Sequence, residues 1–152
     1  MRSAGGHGAP PDAPLASRSR RALALIYEAL LLSALLLVAA LPFVMISGAA
    51  DAVVARPLLQ IYLVLVAATY FVWQWRRGGQ TLPMKTWHMR VVTRAGAALN
   101  LRQALSRFVF AFAGCALGGS GFLWALVDRD GLFLHDRLAG TKIIVAPATT
   151  SW

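Results

Sequence analysis

Glu28 is a carboxylate inside a long apolar stretch, and it lies seven residues after Arg21. In a helix, this spacing places the two side chains within about 20° of the same face, two turns apart. An ionised carboxylate at mid-bilayer costs about 2.5–3.5 kcal/mol, so Glu28 must face a helix bundle, pair with a base or take up a proton. We therefore predict a proton- or cation-binding group at Glu28. The sequence leaves one alternative open, a structural ion pair with Arg107 or Arg137 that only fixes helix packing.

Arg21 and Asp136 are predicted to complete a charged cluster with Glu28, and Arg107 and Arg137 are predicted to belong to the same cluster. An arginine at the end of an apolar helix is often an anchor that reaches back to the interface, so Arg21 also has a purely structural interpretation. Asp136 precedes Gly140, and in one interpretation it caps a short helical turn that the glycine ends. In the other, Asp136 lies against Arg107 or Arg21 near the mouth of a polar pocket.

The other reactive residue types do not form a catalytic or metal-binding set. The chain has one cysteine, Cys115, which excludes an internal disulfide and a thiolate cluster. Its histidines have no ligand partner three or four residues away, so a zinc site is not expected. His135 is either a proton relay or an exposed side chain without a function. Without a Ser/His/Asp arrangement, a nucleotide-binding loop or paired carboxylates, we expect neither an enzyme nor a cofactor.

The composition is that of a membrane protein. Hydrophobic residues make up 58% of the 152 residues and charged residues 14%, whereas soluble domains contain roughly 25% charged residues. The mean hydropathy is +0.60. The net charge of +9 does not indicate nucleic-acid binding, because the basic residues flank apolar runs, as they do in cytoplasmic loops.

Two apolar runs are predicted to be transmembrane helices. The first, residues 22–46, follows three arginines, and Pro42 is predicted to kink it or to end its far side. The second, residues 57–75, is nineteen residues long, about 28 Å as a helix, and Arg76 and Arg77 follow it. The two runs form a helical hairpin whose basic ends, and with them the N-terminus, are predicted to be cytoplasmic.

A third apolar run covers residues 108–127. Asn100 and Gln103 have the spacing of a capping box, which predicts the start of a helix. Gly114 and Gly118 either allow close helix approach through a G-x-x-x-G spacing or break the run into the half-helices of a re-entrant loop. A crossing helix places the C-terminal tail outside the cell, and a re-entrant segment keeps it in the cytoplasm.

Short interfacial elements accompany these helices. Residues 87–92 alternate between apolar and polar side chains, which predicts a short strand, and residues 142–145 are its predicted partner. Residues 1–19 are rich in small residues and proline and are predicted to be disordered, and residues 147–152 form a C-terminal tail. Four basic residues are predicted to contact anionic lipid headgroups: Arg76, Arg77, Lys85 and Arg90.

Three segments of the chain together resemble the RDD family of small bacterial membrane proteins. They are Arg21-Ala-Leu-Ala-Leu-Ile-Tyr-Glu28, Gly79-Gln-Thr-Leu82 leading to Met89-Arg-Val-Val92, and Leu134-His-Asp-Arg-Leu-Ala-Gly-Thr141. The resemblance implies that the arginine and the two aspartates for which the family is named correspond to Arg21, Glu28 and Asp136. Glu28 stands where the family has an aspartate, so its carboxylate reaches one methylene further.

The sequence thus predicts an all-α, multi-pass protein of the bacterial cytoplasmic membrane, with two transmembrane helices and a third apolar segment. The resemblance implies a family domain over residues 20–146 and a transport-related role linked to protons or cations. Because so few helices enclose little volume, transport would need a homo-oligomer or a membrane partner. The competing hypothesis is a non-transporting scaffold or accessory subunit whose buried charges fix helix packing.

Overall fold

The computed structural model describes residues 14–47, 52–119 and 133–146, and these are mostly helical. In chain order the elements are α1 (Arg18–Ser47), α2 (Ala52–Arg77), α3 (Leu82–Thr86), β1 (Met89–Thr93), α4 (Leu101–Ala116), α5 (Leu134–Leu138) and β2 (Thr141–Val145). Helices α1 and α2 pack against each other, and α4 packs against α2.

Helices α1 and α2 are long and apolar enough to cross a membrane. Helix α1 has 30 residues and α2 has 26, which correspond to about 45 Å and 39 Å of helix. Pro42 lies inside α1 and does not end it, because the helix continues to Ser47.

In α1 two charged side chains are buried and many apolar side chains are exposed, which is the reverse of the pattern in a helix of a soluble protein. Its buried residues are Arg21, Ala24 and Glu28, which share one face. Many of its large apolar side chains point outward, among them Leu37, which is 71% exposed, and Met45, which is 82% exposed. The predicted common face of Arg21 and Glu28 is therefore confirmed, and that face is turned inward.

Strands β1 and β2 form the predicted antiparallel pair, with Val91 opposite Ile143 and Thr93 opposite Thr141. The prediction of disorder up to residue 19 is wrong for residues 14–19. Leu15 forms a bridge with Ile144, and the Ala16 amide donates to the Ile143 carbonyl at 3.1 Å. Pairing through main-chain atoms does not require a particular pattern of side chains, so the sequence of this segment did not indicate it.

Helix α4 begins at the predicted capping box. The Gln103 amide donates to the Asn100 side chain at 2.8 Å, and the Gln103 side chain accepts from the Asn100 amide. The helix ends at Ala116, and Gly118 follows in the left-handed conformation with φ +71°. The G-x-x-x-G interpretation is therefore wrong, because Gly114 and Gly118 do not lie on one helix. The choice between a crossing and a re-entrant segment depends on residues 120–127, which lie outside the described residues.

Candidate functional site

A cavity of about 500 Å³ lies between α1, α2 and α4, and most of its lining is apolar. Leu32, Val64 and Phe112 are typical of its walls. Its acidic and basic lining residues are Arg21, Glu28, Arg107 and His135. The structure thus brings together at one cavity side chains that are far apart in the sequence.

Glu28 is held in this cavity by two neutral hydroxyl groups. The Tyr70 hydroxyl donates to its Oε1 atom at 2.8 Å, and the Thr81 hydroxyl donates to its Oε2 atom. Glu28 is only 8% exposed, and it forms no ion pair with any described residue. The predicted ion pair with Arg107 or Arg137 is therefore wrong, because α2 and the turn after it place hydroxyls where a base was expected.

The turn between α2 and α3 brings Thr81 to Glu28. Gly79 has φ +66°, and its carbonyl accepts a hydrogen bond from the Val91 amide at 2.6 Å. The Gln80 side chain donates to the Met89 carbonyl at 2.7 Å. These two bonds fix the Gly-Gln-Thr-Leu segment against β1 and leave the fully buried Thr81 side chain facing α1.

Arg107 and Asp136 form a buried ion pair, and the Arg107 Nη1 atom also donates to the Thr141 hydroxyl at 2.7 Å. The Arg107 guanidinium lies over the Trp75 ring, 4.9 Å from its centroid. One arginine of α4 therefore contacts α2, α5 and β2. In a site of low dielectric constant, these hydrogen bonds and the opposite charge offset the cost of burying the guanidinium.

The interpretation of Asp136 as a helix cap is wrong. The N-cap of α5 is Phe133, and Asp136 lies in the first turn with its side chain directed to Arg107. The prediction that Gly140 ends this short helix is confirmed, because Gly140 follows the C-cap Ala139 with φ +65°.

Arg21 lies near the residues around Asp136. Its guanidinium carbon is 5.3 Å from the centroid of the Phe133 ring, and the charge of Asp136 attracts it. The buried charges therefore separate into two groups, with Glu28 and its hydroxyls in one and the basic residues around Asp136 in the other.

His135 is buried at 5% exposure, so the interpretation as an exposed side chain is wrong. Its ring stacks on that of Phe133 with 5.4 Å between the centroids, and its Nε2 atom is 3.7 Å from the Asp136 carboxylate. Burial and, next, the Arg107 charge lower the pKa of His135 to about 4, and Asp136 only partly opposes them. His135 is therefore neutral at pH 7.

The other predicted site residues lie away from the cavity. Arg137 is exposed, as are Arg76, Arg77 and Lys85. Arg90 is half-buried, and its Nε atom donates to the Gly78 carbonyl at 3.0 Å. Within the described ranges, no three His, Cys, Asp or Glu residues are grouped so that they could hold a metal ion.

Tyr70 and Thr81 are the contacts of Glu28 that the sequence did not predict. Tyr70 lies inside the second apolar run, and Thr81 lies in the Gly79-Gln-Thr-Leu82 segment, for which the sequence indicated no chemical role. The full burial of a polar side chain beside a long apolar helix is the signal that could have identified Thr81, but burial is known only from the fold.

Comparison with known proteins gives one match. A model of the RDD family matches residues 15–140, most of the chain. No curated protein and no solved structure matches the chain.

Proposed function

The chain belongs to the RDD family, and on that premise we propose that it is a membrane protein with a proton-linked role in transport. Glu28 is the carboxylate that takes up and releases the proton. The observation that carries the proposal is the position of Glu28, buried in the wall of an apolar cavity with hydroxyl partners and no ion pair to a described residue.

The membrane location is supported by the two long helices and their exposed apolar surface. Arginines lie at the start of α1 and the end of α2, and Arg56 is the one basic residue near the opposite end of this hairpin in the described ranges. Basic residues concentrate on the cytoplasmic side of membrane proteins. We therefore assign the N-terminus to the cytoplasm and the protein to the bacterial cytoplasmic membrane.

The partners of Glu28 suit proton exchange better than those of Asp136. A hydroxyl is both a donor and an acceptor, so Tyr70 and Thr81 can bond to either protonation state of the carboxyl group. Asp136 is instead the counter-ion of the buried Arg107 guanidinium, and loss of either charge of a buried pair is strongly unfavourable. Glu28 is therefore the described carboxylate that can change its charge at the lower cost.

Proton flux into proteoliposomes tests this function. Vesicles with a sodium or potassium gradient and an internal pH dye should show flux with wild-type protein and at least tenfold less with Glu28→Gln. Glu28→Asp should keep most of the flux, because it retains the carboxyl group. Ser33→Ala is the matched control, since Ser33 lies on the same helix and its hydroxyl donates only to the Ala29 carbonyl.

The competing function is a scaffold or accessory subunit in which the charges only hold helices together. The buried bond between Arg107 and Asp136 favours it, because this bond joins α4 to α5. If wild-type and Glu28→Gln vesicles gave the same flux while both proteins stayed folded, the transport function would be rejected in favour of the scaffold. Because few helices enclose little volume, the transport function would need a homo-oligomer or a membrane partner.

A further inference from the structure

A second groove, with a volume of about 640 Å³, lies on another face of α2, where it meets α4. Leu65, Val72 and Leu105 line its apolar part, and Arg76 and Arg77 lie at the end nearest the helix terminus. From Leu65 to Arg76 the helix rises by about 16 Å, roughly half of the hydrocarbon thickness of a bilayer. The groove therefore has the length of a single leaflet.

Among the described residues, the exposed charges are all positive. Glu28 and Asp136 are the acidic residues of the described ranges, and both are buried. Arg76 and Arg77 are exposed and form no ion pair with a described residue. The Arg77 guanidinium lies 5.0 Å from the centroid of the Trp73 ring, which holds it beside the groove.

We infer that this groove binds one anionic phospholipid, with its phosphate at Arg76 and Arg77 and an acyl chain along Leu65, Val72 and Leu105. Guanidinium groups bind phosphate oxygens with strong, charge-assisted hydrogen bonds, and an apolar groove one leaflet long fits an acyl chain. The inference rests on the proposed membrane location but not on proton binding by Glu28.

Native mass spectrometry of the protein in detergent tests the site. Phosphatidylglycerol should be retained in preference to phosphatidylcholine with the same chains, and Arg76→Gln/Arg77→Gln should weaken its binding by about 25-fold, about fivefold for each arginine. The control Arg20→Gln/Arg102→Gln removes the same charge from exposed positions outside the groove and should change binding by less than twofold. Thr69 is exposed and lines the groove, so the larger side chain of Thr69→Trp should fill the groove and weaken the binding of both lipids.

Several results would overturn the inference. Equal retention of the two lipids, or equal loss with the control pair, would mean that the groove has no specific lipid site. Full competition by glycerol phosphate would assign the arginines to a free phosphate ligand. A dimer that Thr69→Trp dissociates would assign the groove to a second copy of the chain. Extraction from vesicles by alkaline carbonate would contradict the membrane location itself, whereas an inserted protein without lipid preference would contradict only this site.

Discussion

Arg107 of α4 and Asp136 of α5 form an ion pair inside the protein, where their exposed fractions are 2% and 0%. The Thr141 hydroxyl at the start of β2 accepts from the same guanidinium nitrogen at 2.7 Å. This pair joins the segment after the third apolar run to α4, the helix in which that run begins, and Arg107 also lines the cavity that Glu28 lines.

Arg107→Ala should strongly destabilise the fold. It leaves the Asp136 carboxylate buried without its counter-ion, which typically costs about 3–5 kcal/mol. Arg102→Ala is the matched control on the same helix, since Arg102 is exposed, and it should change the free energy of unfolding by less than about 0.5 kcal/mol. Both values can be measured by denaturant unfolding in detergent micelles.

The double variant Arg107→Met/Asp136→Leu separates the cost of an unpaired charge from the value of the pair. Apolar replacement of both partners of a buried ion pair is often nearly neutral or stabilising. The double variant should therefore be more stable than Arg107→Ala. If the double variant were less stable than Arg107→Ala, the ion pair itself would contribute favourably to stability. The destabilisation of Arg107→Ala could then not be explained by an unpaired buried carboxylate alone.

Tyr70→Phe and Thr81→Val should each lower the free energy of unfolding by about 1.5–3 kcal/mol, the usual contribution of a hydrogen bond to a charged group. In a Glu28→Met background the same changes should cost less, because their acceptor is gone. Thr86→Val is the control, since the Thr86 hydroxyl is exposed and donates only to the Leu82 carbonyl. Equal costs in the two backgrounds would show that these hydroxyls do not act through Glu28.

Local patterns in the sequence predicted the elements, but not the partners of the charges. The seven-residue spacing of Arg21 and Glu28 and the capping box at Asn100 depend on helix geometry alone, so they could be recognised without the fold. Tyr70 is 42 residues from Glu28 and Thr81 is 53 residues away. Contacts over such distances depend on how α1, α2 and the turn before α3 pack together, and no local periodicity reports that packing.

The pairing of Arg107 with Asp136 was one of several combinations that the sequence allowed. Charge alone could not distinguish these combinations, because Arg21 and Arg107 are both basic and each lies toward the N-terminal end of an apolar helix. The choice follows from α5 and β2, which direct Asp136 and Thr141 toward α4. The ordered structure of residues 14–17 could not be predicted for a related reason, since it depends on main-chain hydrogen bonds to β2.

Gly79→Ala should destabilise the turn that carries Thr81. Gly79 has φ +66°, and an added Cβ atom would lie 2.6 Å from the Val91 carbonyl oxygen, which cannot move without disturbing β1. The left-handed conformation alone costs an alanine about 1–2 kcal/mol, and the steric conflict adds to this. Gly78→Ala is the neighbouring control, because its added Cβ would meet nothing within 4 Å. Similar thermal unfolding of the two variants would contradict this role of Gly79.

Stability should fall in mild acid because of His135. Its pKa is about 4 in the folded protein, against a reference value of 6.5 that applies when the chain unfolds. Between these values the unfolded state binds more protons, so the contribution of neutral His135 is complete above pH 6.5 and is lost as the pH falls toward 4. The slope reaches about 1.4 kcal/mol per pH unit, and the whole effect is about 3 kcal/mol.

Variants at the two described histidines isolate this effect from the titration of other groups. His135→Gln should flatten the dependence of the unfolding temperature on pH between 7 and 5, because the variant has no imidazole to protonate. His88→Asn should leave the dependence as it is in the wild type, since the His88 side chain is exposed and asparagine tolerates its φ of 51°. If the wild type and His135→Gln lost stability in parallel as the pH fell, the acid sensitivity would belong to another group, and burial beside Arg107 would not keep His135 neutral.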